Sequence, residues 1–61
     1  MDFAAALKRF RKAMHITQLQ AAQAADVTER VYQSYEYGKS VPSVTVAMSL
    51  ADAYGVSLDY L

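Results

Sequence analysis

Apolar positions recur at helical spacing in four stretches of the chain. Phe3, Leu7, Phe10 and Met14 step by 4, 3 and 4, a single stripe along residues 2–14. Ala4, Ala5 and Ala6 add strong helix propensity there. Ala21, Ala22 and Ala25 make a small-residue face on a second helix that runs to about residue 25, which lets another helix approach closely. Gln18, Gln20 and Gln23 are expected to look outward, and Leu19 is left as an exposed apolar side chain. The third helix, over residues 29–37, has two unlike sides. Val27, Val31 and Tyr35 line one; Glu29, Arg30, Gln33, Ser34 and Tyr37 lie together on the other. The apolar side is expected to be anchored and the polar side presented to a partner, with DNA as the favoured one. Val44, Ala47, Met48, Ala51 and Tyr54 form the buried stripe of a fourth helix, widened by Leu50. Val56, Leu58 and Leu61 follow on a last short turn that starts at Ser57.

The punctuation agrees with the periodicity. Thr17 and Gln20 have the spacing of a capping box, in which the hydroxyl takes the N3 amide and the glutamine reaches back. Thr28 and Ser43 are N-caps for the third and fourth helices. Gly38 and Gly55 close those helices. His15 is expected to end the first helix and Asp26 the second, since both tolerate a left-handed backbone better than most non-glycine residues. Pro42 forbids helix in the residue before it, so residues 39–42 read as a loop. The sum is a compact all-α domain of five short helices over residues 1–61. Its central pair, over residues 17–37, fits a helix-turn-helix.

Composition narrows the function. A 61-residue chain without cysteine has no disulfide framework and no thiolate metal site, so its core alone must hold it together. No run approaches the roughly 20 apolar residues that span a bilayer. Lys8, Arg9, Arg11 and Lys12 interrupt any signal-peptide pattern, so a cytoplasmic location is the expectation. Net charge is zero, which by itself does not point to nucleic acid. The distribution does more: all six basic residues fall between Lys8 and Lys39, while residues 41–61 carry only Asp52 and Asp59. One histidine and no Gly-rich loop leave no nucleophile–base pair and no phosphate cradle, so no enzymatic role, small-molecule substrate, cofactor or metal is expected.

Several segments resemble the Cro/C1-type, or XRE-type, helix-turn-helix family of phage and bacterial repressors. They are Thr17-Gln18, the small Ala22, Val27-Thr28, Tyr35-Glu36 with Gly38-Lys39, Pro42-Ser43, and GVSLDYL at 55–61. The resemblance implies a lambda-repressor-like fold in a bacterial or phage-encoded regulator, and it assigns roles. Gln18, Thr28 and Lys39 would hold DNA phosphates. Glu29, Arg30, Gln33 and Ser34 would face base edges. Arg11 and Glu36 match a structural ion pair tying the first helix to the recognition helix. Tyr37, which ends the outward stripe, is grouped with the phosphate contacts. The chain departs from the family where it has His15 and Asp26 in place of glycine, and Tyr32 in place of a smaller aliphatic residue; more strained turns are expected.

Side-chain chemistry supports these roles. Arg30 has the fork to grip guanine O6 and N7, Gln33 can pair with adenine, and Glu29 can accept from cytosine N4. Backbone amides at the helix starts near Thr17 and Thr28 offer donors to phosphate. The expected partner is double-stranded DNA, bound as a homodimer through residues 56–61. The alternative is a protein-interaction or antitoxin-like module, which zero net charge and an exposed Leu19, Tyr32 and Tyr37 would favour.

Overall fold

The computed structural model describes residues 3–56. Four helices follow one another: α1 (Phe3–Ala13), α2 (Gln18–Ala24), α3 (Glu29–Glu36) and α4 (Val44–Tyr54). The fifth helix expected from Ser57 lies outside the described residues, as does the expected dimer surface apart from Val56.

Local chemistry sets where these helices start. Thr17 Oγ1 accepts from the Gln20 amide at 3.1 Å, and Gln20 Oε1 accepts from the Thr17 amide at 2.8 Å, a complete capping box. Thr28 Oγ1 accepts from the Val31 amide at 3.2 Å and Ser43 Oγ from the Val46 amide at 3.3 Å. Each cap satisfies a donor that the first helical turn cannot.

All four helices end in the same way. A left-handed residue follows the last turn: His15 (φ 57°), Asp26 (φ 58°), Gly38 (φ 76°) and Gly55 (φ 68°). Around each, two amides turn back onto orphaned carbonyls. At α3, Lys39 N–H donates to Ser34 at 2.9 Å and Gly38 N–H to Tyr35 at 3.3 Å. At α2, Val27 N–H donates to Ala22 at 3.0 Å and Asp26 N–H to Gln23 at 3.2 Å. This is the Schellman arrangement. His15 and Asp26 hold it in spite of their Cβ atoms.

The core is one cluster: Leu7, Ala21, Ala22, Ala25, Tyr32, Tyr35, Leu50 and Tyr54, with Phe3, Phe10, Ile16, Val27 and Val46 packed on its edge. The small face of α2 lets α3 and α4 lie against it, and α1 rests on α3.

Three expectations about helix rotation are corrected. Tyr32, expected at the surface, is 0% exposed. Its hydroxyl meets that of Tyr54 at 2.5 Å, so each phenol's polar tip has a partner inside the core. Val31, expected inward, is exposed. Tyr32, Tyr35 and Glu36 define the buried face of α3, and at about 100° per residue Val31 lies roughly a quarter-turn round from Tyr32, off that face. On α4 the buried set is Ala47, Leu50, Ala51 and Tyr54, and Val44 and Met48 face outward. On the first helix Met14 lies past the end and is exposed, while Ala4 and Ala6 are buried.

Candidate functional site

The outward side of α3 is the candidate site, and a buried ion pair underlies it. Arg11 Nε donates to Glu36 Oε2 at 2.5 Å and Arg11 Nη2 to Glu36 Oε1 at 3.1 Å, a two-point contact that suits the planar guanidinium. The Glu36 side chain is 1% exposed and that of Arg11 12%. Arg11 Nη1 also donates to the Ile16 carbonyl at 3.1 Å, so one guanidinium ties α1, the α1–α2 turn and α3 together. Burial pushes the Glu36 carboxyl up, but hydrogen bonds from Arg11, Tyr32 and Gln18 outweigh it and hold the group below its ordinary range. The same hydrogen bond to Glu36 raises Arg11. The pair removes Arg11 from the basic cluster of the first helix. Lys8, Arg9 and Lys12 remain exposed there, with Arg9 lying 5.2 Å over the Phe10 ring.

Gln18 does not simply look outward as expected. It is half-buried, and its Nε2 donates to Glu36 Oε1 at 3.2 Å. Its Oε1 accepts from Gln33 Nε2 at 3.2 Å. The start of α2 is therefore stitched to the middle and end of α3.

Arg30, Gln33, Ser34, Tyr37 and Lys39 line one open groove of about 260 Å³. The structure thus gathers three of the expected base readers with two of the expected phosphate contacts. Glu29, Thr28 and Gln18 do not line it. The side chains of Glu29 and Arg30 make no hydrogen bond or ion pair to other described residues, and both are exposed on the first turn of α3. Tyr37 is 63% exposed at the far end of the helix.

Ser34 is less free than its position suggests. Its hydroxyl donates to the Val31 carbonyl at 2.6 Å and lies 2.6 Å from Ser40 Oγ. A hydroxyl has one proton, so Ser40 donates to Ser34 and only an acceptor lone pair of Ser34 is left. Ser40 itself escaped the sequence reading. The helix-ending turn at Gly38 was the signal that could have found it, because that turn folds residues 39–40 back over Ser34. Thr28 shows the converse. Its oxygen accepts within the cap, which leaves the hydroxyl proton to donate outward.

A short helix, a tight left-handed turn and a second helix standing partly clear of the core define a helix-turn-helix domain. The chain belongs to the XRE-type helix-turn-helix family, whose profile, described as Helix-turn-helix, matches residues 7–61. It is also similar to YqaE of Bacillus subtilis (strain 168), described as an uncharacterized HTH-type transcriptional regulator. The two are 34% identical over 59 residues, covering 97% of this chain and 51% of that protein. The chain spans about half the length of that relative. No solved structure matches it. No helix among the described residues is long and apolar enough to cross a membrane.

Proposed function

We propose that this chain is the DNA-reading domain of a transcriptional repressor, with α3 as its recognition helix. The observation that carries the reading is the two-sidedness of α3. Its inner side is held by Tyr32, Tyr35 and Glu36, while the side chains of Glu29 and Arg30 are exposed and unpaired and Arg30 lines a groove with Gln33, Ser34, Tyr37 and Lys39. The similarity to an HTH-type transcriptional regulator supports it. The major groove admits one such helix, read mainly by side chains near its start. Arg30 takes guanine, Gln33 adenine and Glu29 cytosine, while Ser34 serves only as an acceptor. Gln18, Thr28, Tyr37 and Lys39 hold phosphates. The domain acts by binding alone, with no cofactor, and in the cytoplasm. Two copies, joined through residues 56–61, place their recognition helices on half-sites about 34 Å apart.

Selection of duplexes from a random pool, followed by binding of two variants, tests the reading. Arg30→Ala costs roughly 1–3 kcal/mol and relaxes preference at one base position. Lys39→Ala weakens every sequence alike and lowers the salt slope. Equal losses on all sequences for Arg30→Ala would remove its base-reading role.

A protein-interaction module is the second reading. The outward Val44 and Met48, one turn apart on α4, with Val41 beside them in sequence, favour it together with the exposed Leu19. Tyr32, being buried, no longer supports it. A gel shift with random duplex at low salt separates the two. Non-specific binding of a DNA reader should reach about 10⁻⁴ to 10⁻⁶ M, and its absence favours the protein partner.

A further inference from the structure

A line of polar side chains runs from the domain interior to the groove: Arg11, Glu36, Gln18, Gln33. Its direction is dictated by charge. An ionised carboxylate only accepts hydrogen bonds, so the Gln18 atom that meets Glu36 Oε1 at 3.2 Å must be the amide nitrogen. Glu36 is held ionised by the Arg11 guanidinium, which donates to both of its oxygens. The Gln18 atom left for Gln33 is then its carbonyl oxygen, which also only accepts. Gln33 must therefore turn its own nitrogen inward, as it does at 3.2 Å. Left to itself, the terminal torsion of a glutamine is broad and roughly two-fold, so its oxygen and nitrogen exchange places easily. Here the sign of a buried charge, passed through Gln18, decides which way Gln33 faces.

The outward consequence is specific. Gln33 Nε2 has two hydrogens and one is committed to Gln18. The groove side of Gln33 is left with a carbonyl oxygen and one N–H. That acceptor–donor edge is the complement of adenine, which offers N6–H and N7 in the major groove.

We propose that Gln18 is a positioning residue for base recognition, fixing the amide of Gln33 in the orientation that selects adenine. The inference rests on the reading of α3 as a recognition helix. It also differs from a plain phosphate contact by Gln18, which would strengthen all sequences alike.

The test uses Gln18→Met, which keeps the bulk and removes the relay, together with Gln33→Ala. In the free protein, nitrogen relaxation of the Gln33 side-chain amide is measured against that of Gln23, which is exposed on α2. The Gln33 amide is expected to be ordered in the parent protein and to become as mobile as that of Gln23 in Gln18→Met. On selected duplexes, Gln33→Ala identifies the base position it reads. Gln18→Met then lowers discrimination at that position by about twofold to tenfold, the scale of ordering one long side chain on binding. Three results overturn the proposal: a Gln33 amide already mobile in the parent, an amide unmoved by Gln18→Met, or equal weakening of every duplex with discrimination intact. Loss of base preference in Gln33→Ala with retention in Gln18→Met removes the relay and leaves the base-reading role standing. No change of preference in Gln33→Ala removes that role, and the positioning role with it.

Discussion

Arg11 on α1 and Glu36 at the end of α3 meet through two hydrogen bonds, 2.5 and 3.1 Å long, in a setting where the carboxylate is almost wholly shielded from water. The two residues are 25 positions apart in the chain. Their contact ties α1 to α3 and, through Gln18, reaches Gln33 on the outer face of the same helix.

Breaking the pair from one side strands a buried charge. Glu36→Ala is expected to destabilise the domain by roughly 3–5 kcal/mol, because Arg11 keeps its charge and loses its partner. Arg11→Met combined with Glu36→Leu should cost much less than the sum of the single changes. Urea unfolding of the two singles and the double measures this, and simple additivity would show that the pair is not coupled.

Acid should find the same contact. Glu36 sits below its ordinary value of 4.5 when folded, so as pH falls the unfolded chain takes up the proton first. The stabilisation is complete above about pH 4.5 and is lost as pH drops through the lowered folded value. Unfolding free energy measured between pH 6 and 2 should fall more steeply in the parent than in Glu36→Gln. Parallel acid limbs would exclude Glu36 as the sensor.

The two buried phenols set the alkaline limit. Burial pushes both Tyr32 and Tyr54 above their ordinary 10.0. A group raised in the folded state stabilises fully below its unfolded value, and that stability is lost as pH rises beyond it. In an absorbance titration, Tyr32 and Tyr54 should stay unionised above about pH 10 until the helical signal collapses. Tyr54→Phe, which leaves Tyr32 without this partner, should cost about 1 kcal/mol. Ionisation of all five tyrosines near pH 10 with the helices intact would contradict the buried pair.

The helix ends offer a gain instead of a loss. His15 and Asp26 hold left-handed backbone at φ 57° and 58°, which strains any residue with a Cβ. His15→Gly and Asp26→Gly should each stabilise by up to about 1 kcal/mol, since relief of strain exceeds the extra entropy of a glycine in the unfolded chain. In a domain of this size that is a rise of several degrees in Tm. A fall in Tm for both would mean that the side chains contribute more than their backbone strain costs.

Helix starts and stops were legible in the residues because capping acts over three or four positions. Thr17 with Gln20, Thr28, Ser43, Gly38 and Gly55 each carry a local instruction, and His15 and Asp26 stand where a left-handed residue must. Part of the outward stripe of α3 followed from spacing in the same way. The Arg11–Glu36 pairing came from family resemblance, as no local rule links residues 25 apart.

Only the tertiary structure decided how far each helix is rotated about its axis. That rotation depends on what lies opposite, and the opposing residues are distant in the chain. Tyr32 turns inward because Tyr54, 22 residues on, supplies a hydroxyl for its own. Leu50 displaces Val44 and Met48 as the buried edge of α4 because the small alanines of α2 leave room at that side. Gln18, outward by pattern, bends inward because a buried carboxylate accepts its amide. The sequence by itself determined three helix starts, four helix stops and a polar stripe; packing and one buried charge decided which way the stripe's amide faces.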